Sequence, residues 1–277
     1  MNLVESRVTI IITYALLGIA AFIALFPIML MLLNSLKTTP EIALSPLGMP
    51  EVAHWNNYAN AWKGANFTRT FFNSAVLMFM TIALVLTTGS LTAYVLARRK
   101  IKSWKIVTVY LLATTTAPIQ LFLFPLYFGF AKLGLINNIF AVSFVYCAIF
   151  SPFSIMLLRT YFLAVPKELE EAALVDGATP WQVFSKVYLP LVWPGILTVS
   201  LIVGLYTWNE FLIATTFLQG PESRTAVVSY FLLSGQYSRD WGDLMAGAML
   251  VSTPIVVLFI FLQRRFIEGI TGGSIKG

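Results

Sequence analysis

Apolar and charged positions segregate sharply along this chain. Read from one charge to the next, long apolar runs cover residues 8–33, 71–97, 106–130, 139–158, 195–218 and 244–262, with Asn137 and Asn138 just outside the fourth. Each approaches or exceeds the ~20 residues that a helix needs to cross a ~30 Å hydrocarbon core. Lipid offers backbone groups no partner, so only helices and closed barrels span it, and these runs are too long for barrel strands. The pattern predicts an all-α membrane protein, a bundle of six transmembrane helices. A charge inside hydrocarbon costs on the order of 2.5–3.5 kcal/mol, so the charged stretches between the runs are its loops.

Composition agrees: 58% of residues are hydrophobic and 11% charged, where a soluble domain carries roughly 25% charged residues. The formal charge of +6 sits beside the apolar runs and forms no soluble basic face, so it reads as membrane topology and not as nucleic-acid binding. The connection after the second run, "RRKIKSWK", is strongly basic and belongs in the cytoplasm by the positive-inside rule. Six spans then place both termini inside, in line with Arg264, Arg265 and Lys276 after the last run and with Arg159, Lys167 and Lys186 around the fourth loop. The first run is longer than the 7–15 residues typical of a signal-peptide core and reads as a retained span. Cys147 is the single cysteine, which excludes an intramolecular disulfide.

Several spans contain proline: Pro27, Pro118, Pro125, Pro152 and Pro254. Each removes a backbone hydrogen bond and bends its helix, leaving room between helices that suits a transporter or channel. The first outer loop, with Trp55, Tyr58 and Trp62 on one face, suits the membrane interface. His54 stands beside them without a second ligand at metal-binding spacing. No phosphate-binding G-x-x-x-x-G-K-[ST] occurs, since Leu135 follows Gly134 where lysine is required, so the chain does not hydrolyse ATP itself. Protease and hydrolase motifs and paired intramembrane carboxylates are missing too.

The most polar interruption lies between the fourth and fifth runs, at residues 163–194, and predicts two short helices with a turn. Pro166 starts the first, Glu168, Glu170 and Glu171 complement its positive end, and Gly177 stops it by taking a left-handed conformation. Thr179, Pro180 and Gln182 form a capping box for the second, which Pro190 and Pro194 end. Leu169, Ala172 and Ala173 give the first helix a narrow apolar edge, and Trp181, Phe184, Val187 and Tyr188 give the second a bulky stripe. The stripe reads as inward packing onto the bundle, which leaves the first helix to be explained.

Glu171-Ala172-Ala173, three residues, Gly177, nine residues, Val187, one residue and Leu189-Pro190 resemble the EAA motif of permease subunits in ATP-binding-cassette importers. The one departure is Val187 for isoleucine, which keeps the branched apolar shape. "ALFPIMLMLLNSLKTTPEI", "IQLFLFPLYFGFAKLGLINN", "TWNEFLIATTFL" and "QRRFIEGITGGSIKG" are similar to the smaller permease subunit of carbohydrate importers of the maltose and glycerol-phosphate type. The resemblance implies one transmembrane permease domain over residues 1–277, with a family core of about 70–265, a coupling loop at 163–194 and a cytoplasmic tail at 264–277. It also implies that Glu170, Glu171, Ala172, Ala173, Asp176, Gly177, Leu189 and Pro190 couple the chain to an ATPase. The implied partners are a homologous second permease, two ATPase subunits, an extracytoplasmic solute-binding protein, a sugar and the lipid of a prokaryotic inner membrane. ATP and magnesium would sit on the ATPase, with no cofactor or metal and no catalytic residue on this chain, and no nucleic acid is expected.

Glu210 is the one carboxylate within the fifth run. With Trp208 and Asn209 it offers stacking and hydroxyl-binding groups to a sugar in the translocation path, or it bonds to a neighbouring helix and braces the bundle; bracing is the reading favoured here. Gly272, Gly273 and Lys276 in the tail reach the ATPase interface by the same resemblance, or form a floppy end. The rival function is a carrier driven by an ion gradient, for which Glu210 is the single supporting group.

Overall fold

The computed structural model describes residues 7–236 and 240–272, and they are helical with no strand among them. The helices are α1 (Arg7–Asn34), α2 (Thr39–Leu44), α3 (Asn56–Gly64), α4 (Phe67–Ala97), α5 (Trp104–Thr116), α6 (Gln120–Lys132), α7 (Ile139–Ala164), α8 (Lys167–Val175), α9 (Pro180–Leu191), α10 (Trp193–Asn209), α11 (Leu212–Phe217), α12 (Ala226–Gln236) and α13 (Trp241–Gly272). Four stretches are long and apolar enough to cross a membrane, at 9–34, 67–97, 139–164 and 241–261. Two bent pairs, α5 with α6 and α9 with α10, raise that to six if each pair is one span.

The expected third span, 106–130, is one of those pairs, bent by 94°. Pro118 is the cause: its ring forces the preceding residue out of the helical region, and Ala117 is extended, with φ −74° and ψ 120°. Pro27, Pro125, Pro152 and Pro254 lie inside continuous helices, where neighbouring groups re-satisfy the freed carbonyls. The bend and the prolines of α6 and α7 leave an apolar groove of about 1150 Å³ lined by Ile119, Phe122, Pro125, Phe144 and Pro152. The helix containing the expected sixth span continues past residue 262 as far as Gly272.

The chain divides into two compact units, residues 1–67 with 229–254, and 68–228 with 255–277. In the first, α1 is exposed along nearly its whole apolar length, as befits a helix whose solvent is lipid. A polar knot follows it. Lys37 is fully buried, and its Nζ donates to Asn34 Oδ1 at 3.1 Å and to Ser45 O at 2.8 Å, the partners that a buried cation requires. Asn57 Nδ2 donates to the carbonyls of Ser35 and Lys37, both at 2.9 Å.

The second unit is built on α4, α7 and α10. One core cluster joins Tyr94, Phe162, Phe184 and Tyr188 beside the 163–194 loop, and another joins Leu77, Tyr146, Ile213 and Phe217 further along α4 and α7. α10 approaches α7 closely because Gly195 faces the Tyr161 ring, where a Cβ would lie 2.5 Å from the nearest ring atom. Gly195→Ala is expected to destabilise the protein by about 1–3 kcal/mol through overpacking. Gly129→Ala, which meets nothing within 4 Å, should not, and thermal unfolding midpoints in detergent compare the two.

Candidate functional site

The 163–194 loop folds as two helices with a sharp turn. α8 starts one residue after Pro166, with Glu168 and Glu170 in its first turn. It closes at Gly177, whose φ is +81°. There the Ala178 N–H donates to Ala173 O at 2.9 Å and the Gly177 N–H to Leu174 O at 3.1 Å, the paired closure that a left-handed glycine permits. The capping box forms: the Gln182 N–H donates to Thr179 Oγ1 at 3.3 Å and the Thr179 N–H to Gln182 Oε1 at 2.7 Å. α9 then departs from expectation. Its middle, Val183–Tyr188, is π-helical, and the helix runs through Leu189 and Pro190 to Leu191 before a 74° bend at Val192. The wider turn changes which residues face inward. Phe184 and Tyr188 are buried as the stripe predicts, Val183 joins them, and Trp181 is exposed.

Adjacent glutamates of α8 face different surroundings. Glu171 and Ala172 are exposed, with Leu169, Leu174 and Val175 exposed around them, while Ala173 is half-buried against the core. Glu170 turns inward: Lys100 Nζ donates to its Oε1 at 2.6 Å, the Tyr188 hydroxyl donates to its Oε2 at 2.8 Å, and Arg98 Nε lies 3.5 Å from Oε2. Arg98 also donates through Nη2 to Val165 O at 2.7 Å, and its guanidinium sits 4.6 Å from the Tyr188 ring centre. Beneath this lies Tyr94, with ring centres of Phe162, Phe184 and Tyr188 5.0–5.8 Å away. Burial alone would raise the Glu170 carboxyl, but the hydrogen bonds from Lys100 and Tyr188 and the charges of Lys100 and Arg98 outweigh it and hold it below the ordinary glutamate range. Burial likewise works against the Lys100 ammonium, and its bond to Glu170 and the nearby Tyr94 raise it overall.

Glu210 lies at a second break in helix, between α10 and α11, with extended backbone at φ −69° and ψ 124°. Its carboxylate accepts the Ile213 N–H at 2.9 Å and the Ala214 N–H at 3.0 Å, which caps α11, and takes a 2.6 Å hydrogen bond from the Tyr146 hydroxyl of α7. Trp208 is buried with its ring 5.8 Å from Phe71, whereas Asn209 is exposed and donates back to Leu205 O. The three residues do not converge on one binding point. Glu210 ties two helices together and seals a break.

Comparison with known proteins decides what kind of chain carries these features. The family described as the binding-protein-dependent transport system inner membrane component matches residues 85–271, well over half of the chain. The chain belongs to that family. This permease is 33% identical over 267 residues to the diacetylchitobiose uptake system permease protein NgcG of Streptomyces coelicolor, covering 96% of this chain and 88% of that one. It is 32% identical over 261 residues to the arabinooligosaccharides transport system permease protein AraQ of Halalkalibacterium halodurans, covering 93% of each. Its fold is similar to a chain in the crystal structure of a bacterial ABC transporter involved in the import of the acidic polysaccharide alginate, with a TM-score of 0.77 over 96% of this chain and 99% of that one, at 22% identity. The permease is a transport subunit of the bacterial inner membrane, not an enzyme.

Of the residues singled out in the loop, Glu171 and Ala172 of α8 and Asp176 and Gly177 of the turn are exposed, while Leu189 within α9 is half-buried against the core and Pro190 is exposed. Arg98 and Lys100, which the sequence marks only as a topology signal, both pair with Glu170, Lys100 across 70 residues of chain. Gly272 is the last residue of α13, and Gly273 and Lys276 lie outside the described residues.

Because the Glu170 carboxyl is lowered on folding, its clamp stabilises α8 at neutral pH and is lost as pH falls through that lowered value. A spin label at the exposed Val175 should stay ordered until pH drops below the ordinary glutamate value of ~4.3, and Glu170→Gln should loosen it already at pH 7. At the other break, Tyr146→Phe is expected to cost about 1.5–3 kcal/mol in unfolding, the range for a hydrogen bond to a charged group. If Glu210 is a brace, the apparent KM for the transported solute stays unchanged in that variant.

Proposed function

We propose that this permease forms half of the translocation pathway of an ATP-driven, binding-protein-dependent sugar importer and couples to its ATPase through the 163–194 loop. The observation that carries the reading is the presentation of α8. A short helix, closed at one end by Gly177 and followed at once by a capped second helix, holds the exposed Glu171 carboxylate and the exposed Ala172 amid exposed Leu169, Leu174 and Val175. Water would not favour that apolar rim in isolation, so it suits a cleft on another protein. Glu171, which makes no ion pair among the described residues, is placed to meet a basic group there. The names of NgcG and AraQ support a sugar or oligosaccharide as cargo.

In this reading the loop and both termini are cytoplasmic. The complete importer has a homologous second permease, two ATPase subunits that bind ATP and magnesium, and an extracytoplasmic solute-binding protein that meets the outer segment at 219–243, which includes α12. ATP-driven closure of the ATPases pushes α8, and the bundle alternates between outward- and inward-facing states. Glu210 then serves the bundle's architecture and not ion coupling.

Gly177→Val and Glu171→Arg are expected to leave membrane insertion intact and to uncouple hydrolysis from uptake. At Gly177 an added Cβ meets nothing within 4 Å and φ is +81°, so the effect comes from backbone conformation, and Gly177→Asn should be milder than Val. Uptake and hydrolysis measured in proteoliposomes with ATP and no ion gradient decide it, and full transport by both variants would overturn the proposal.

A further inference from the structure

We infer that α4 is a transmission rod which links the coupling loop at one membrane face to the loop at 219–225 on the other, an inference resting on the coupling role proposed above. α4 is one unbroken helix of 31 residues with no proline, ~46 Å long at 1.5 Å per residue. Of the other routes across this unit, α5 and α6 meet at 94°, α9 and α10 meet at 74° and α10 stops at Glu210, while α7 is continuous but lacks one backbone hydrogen bond at Pro152. A bend or break absorbs an axial push, whereas a continuous hydrogen-bonded helix passes it on.

Both ends of the rod are pinned by polar contacts to the segments it would connect. At the cytoplasmic end, Arg98 and Lys100 just past its last turn hold Glu170 of α8, and Tyr94 packs on Tyr188 and Phe184 of α9. At the opposite end, the buried Asn73 donates through Nδ2 to the carbonyls of Glu222 and Arg224, both at 2.9 Å. The Ala226 N–H donates to Ser74 Oγ at 2.9 Å. Arg69 and Glu222 add an ion pair at 2.8 Å, but it is exposed and contributes little. The loop held there is the one that faces the solute-binding protein in the proposed importer. Glu170 is therefore a positioning residue: it does not itself reach the ATPase but ties the helix that does to α4. The consequence is that arrival of a loaded binding protein outside is felt at α8 inside through one rigid element.

The test uses the assembled importer in proteoliposomes and reads ATP hydrolysis with and without loaded binding protein. Asn73→Leu cuts the outer pin and Glu170→Gln the inner one. Each should lower the ratio of stimulated to basal hydrolysis by about threefold or more. Because the two pins act in series, the double variant should be no worse than the poorer single. A purely structural role would instead lower assembly and both rates together, leaving the ratio unchanged, and that result, or independent losses that multiply in the double variant, overturns the rod. If Asn73→Leu fails to assemble, Ser74→Ala combined with Glu170→Gln answers the same question. Gly177→Val serves as the control: if it too leaves stimulation intact, the coupling-loop reading fails, whereas an uncoupled Gly177→Val beside unaffected pin variants sinks the rod alone.

Discussion

Hydrocarbon offers no hydrogen-bond partner, and that constraint governs how the breaks within this permease's apolar runs are built. Where the chain breaks at residue 210, the glutamate at the break caps the next helix with its own carboxylate and takes a hydrogen bond from a tyrosine on α7. At Pro118 the departure is a bend, and the extended Ala117 lets a new helix begin three residues on. In the proposed topology the same constraint keeps residues 163–194 out of the lipid, since neither their glutamates nor the glycine turn could be satisfied there.

Once outside, that loop is stiffened by devices common to soluble proteins: a left-handed glycine closure, a capping box and a charged clamp. Stiffness suits the coupling role proposed for it, because a loop with free torsions would dissipate a displacement. The two neighbouring glutamates show how little sequence separates opposite roles. Glu170 is satisfied within its own chain, by two cations and a phenol, and Glu171 is left exposed. One residue along a helix is a rotation of ~100°, enough to turn a side chain from core to surface.

The local features were legible in advance because their causes are local. Gly177 at φ +81°, the Thr179–Gln182 box and the inward Phe184 and Tyr188 follow from residue type and spacing over a few positions. The π-helical turn in α9 was not legible: it is a compromise between the burial of Val183, Phe184 and Tyr188 and helix continuity, and no residue in it signals a wider turn. The partners of Glu170 were hidden for a different reason. "RRK" carries so strong a topological message that the inward turn of Arg98 and Lys100 leaves no trace in it.

Membrane residence, helical content, the position of the polar loop and membership of a transport family rest on the sequence alone, because hydropathy and short motifs express one-dimensional requirements of lipid and turn geometry. What only the tertiary structure decided is which charges are satisfied within the chain, which are left facing outward, and which helices remain straight. Those properties depend on residues 64 to 70 positions apart meeting in space, and chain order does not encode such meetings in any local pattern.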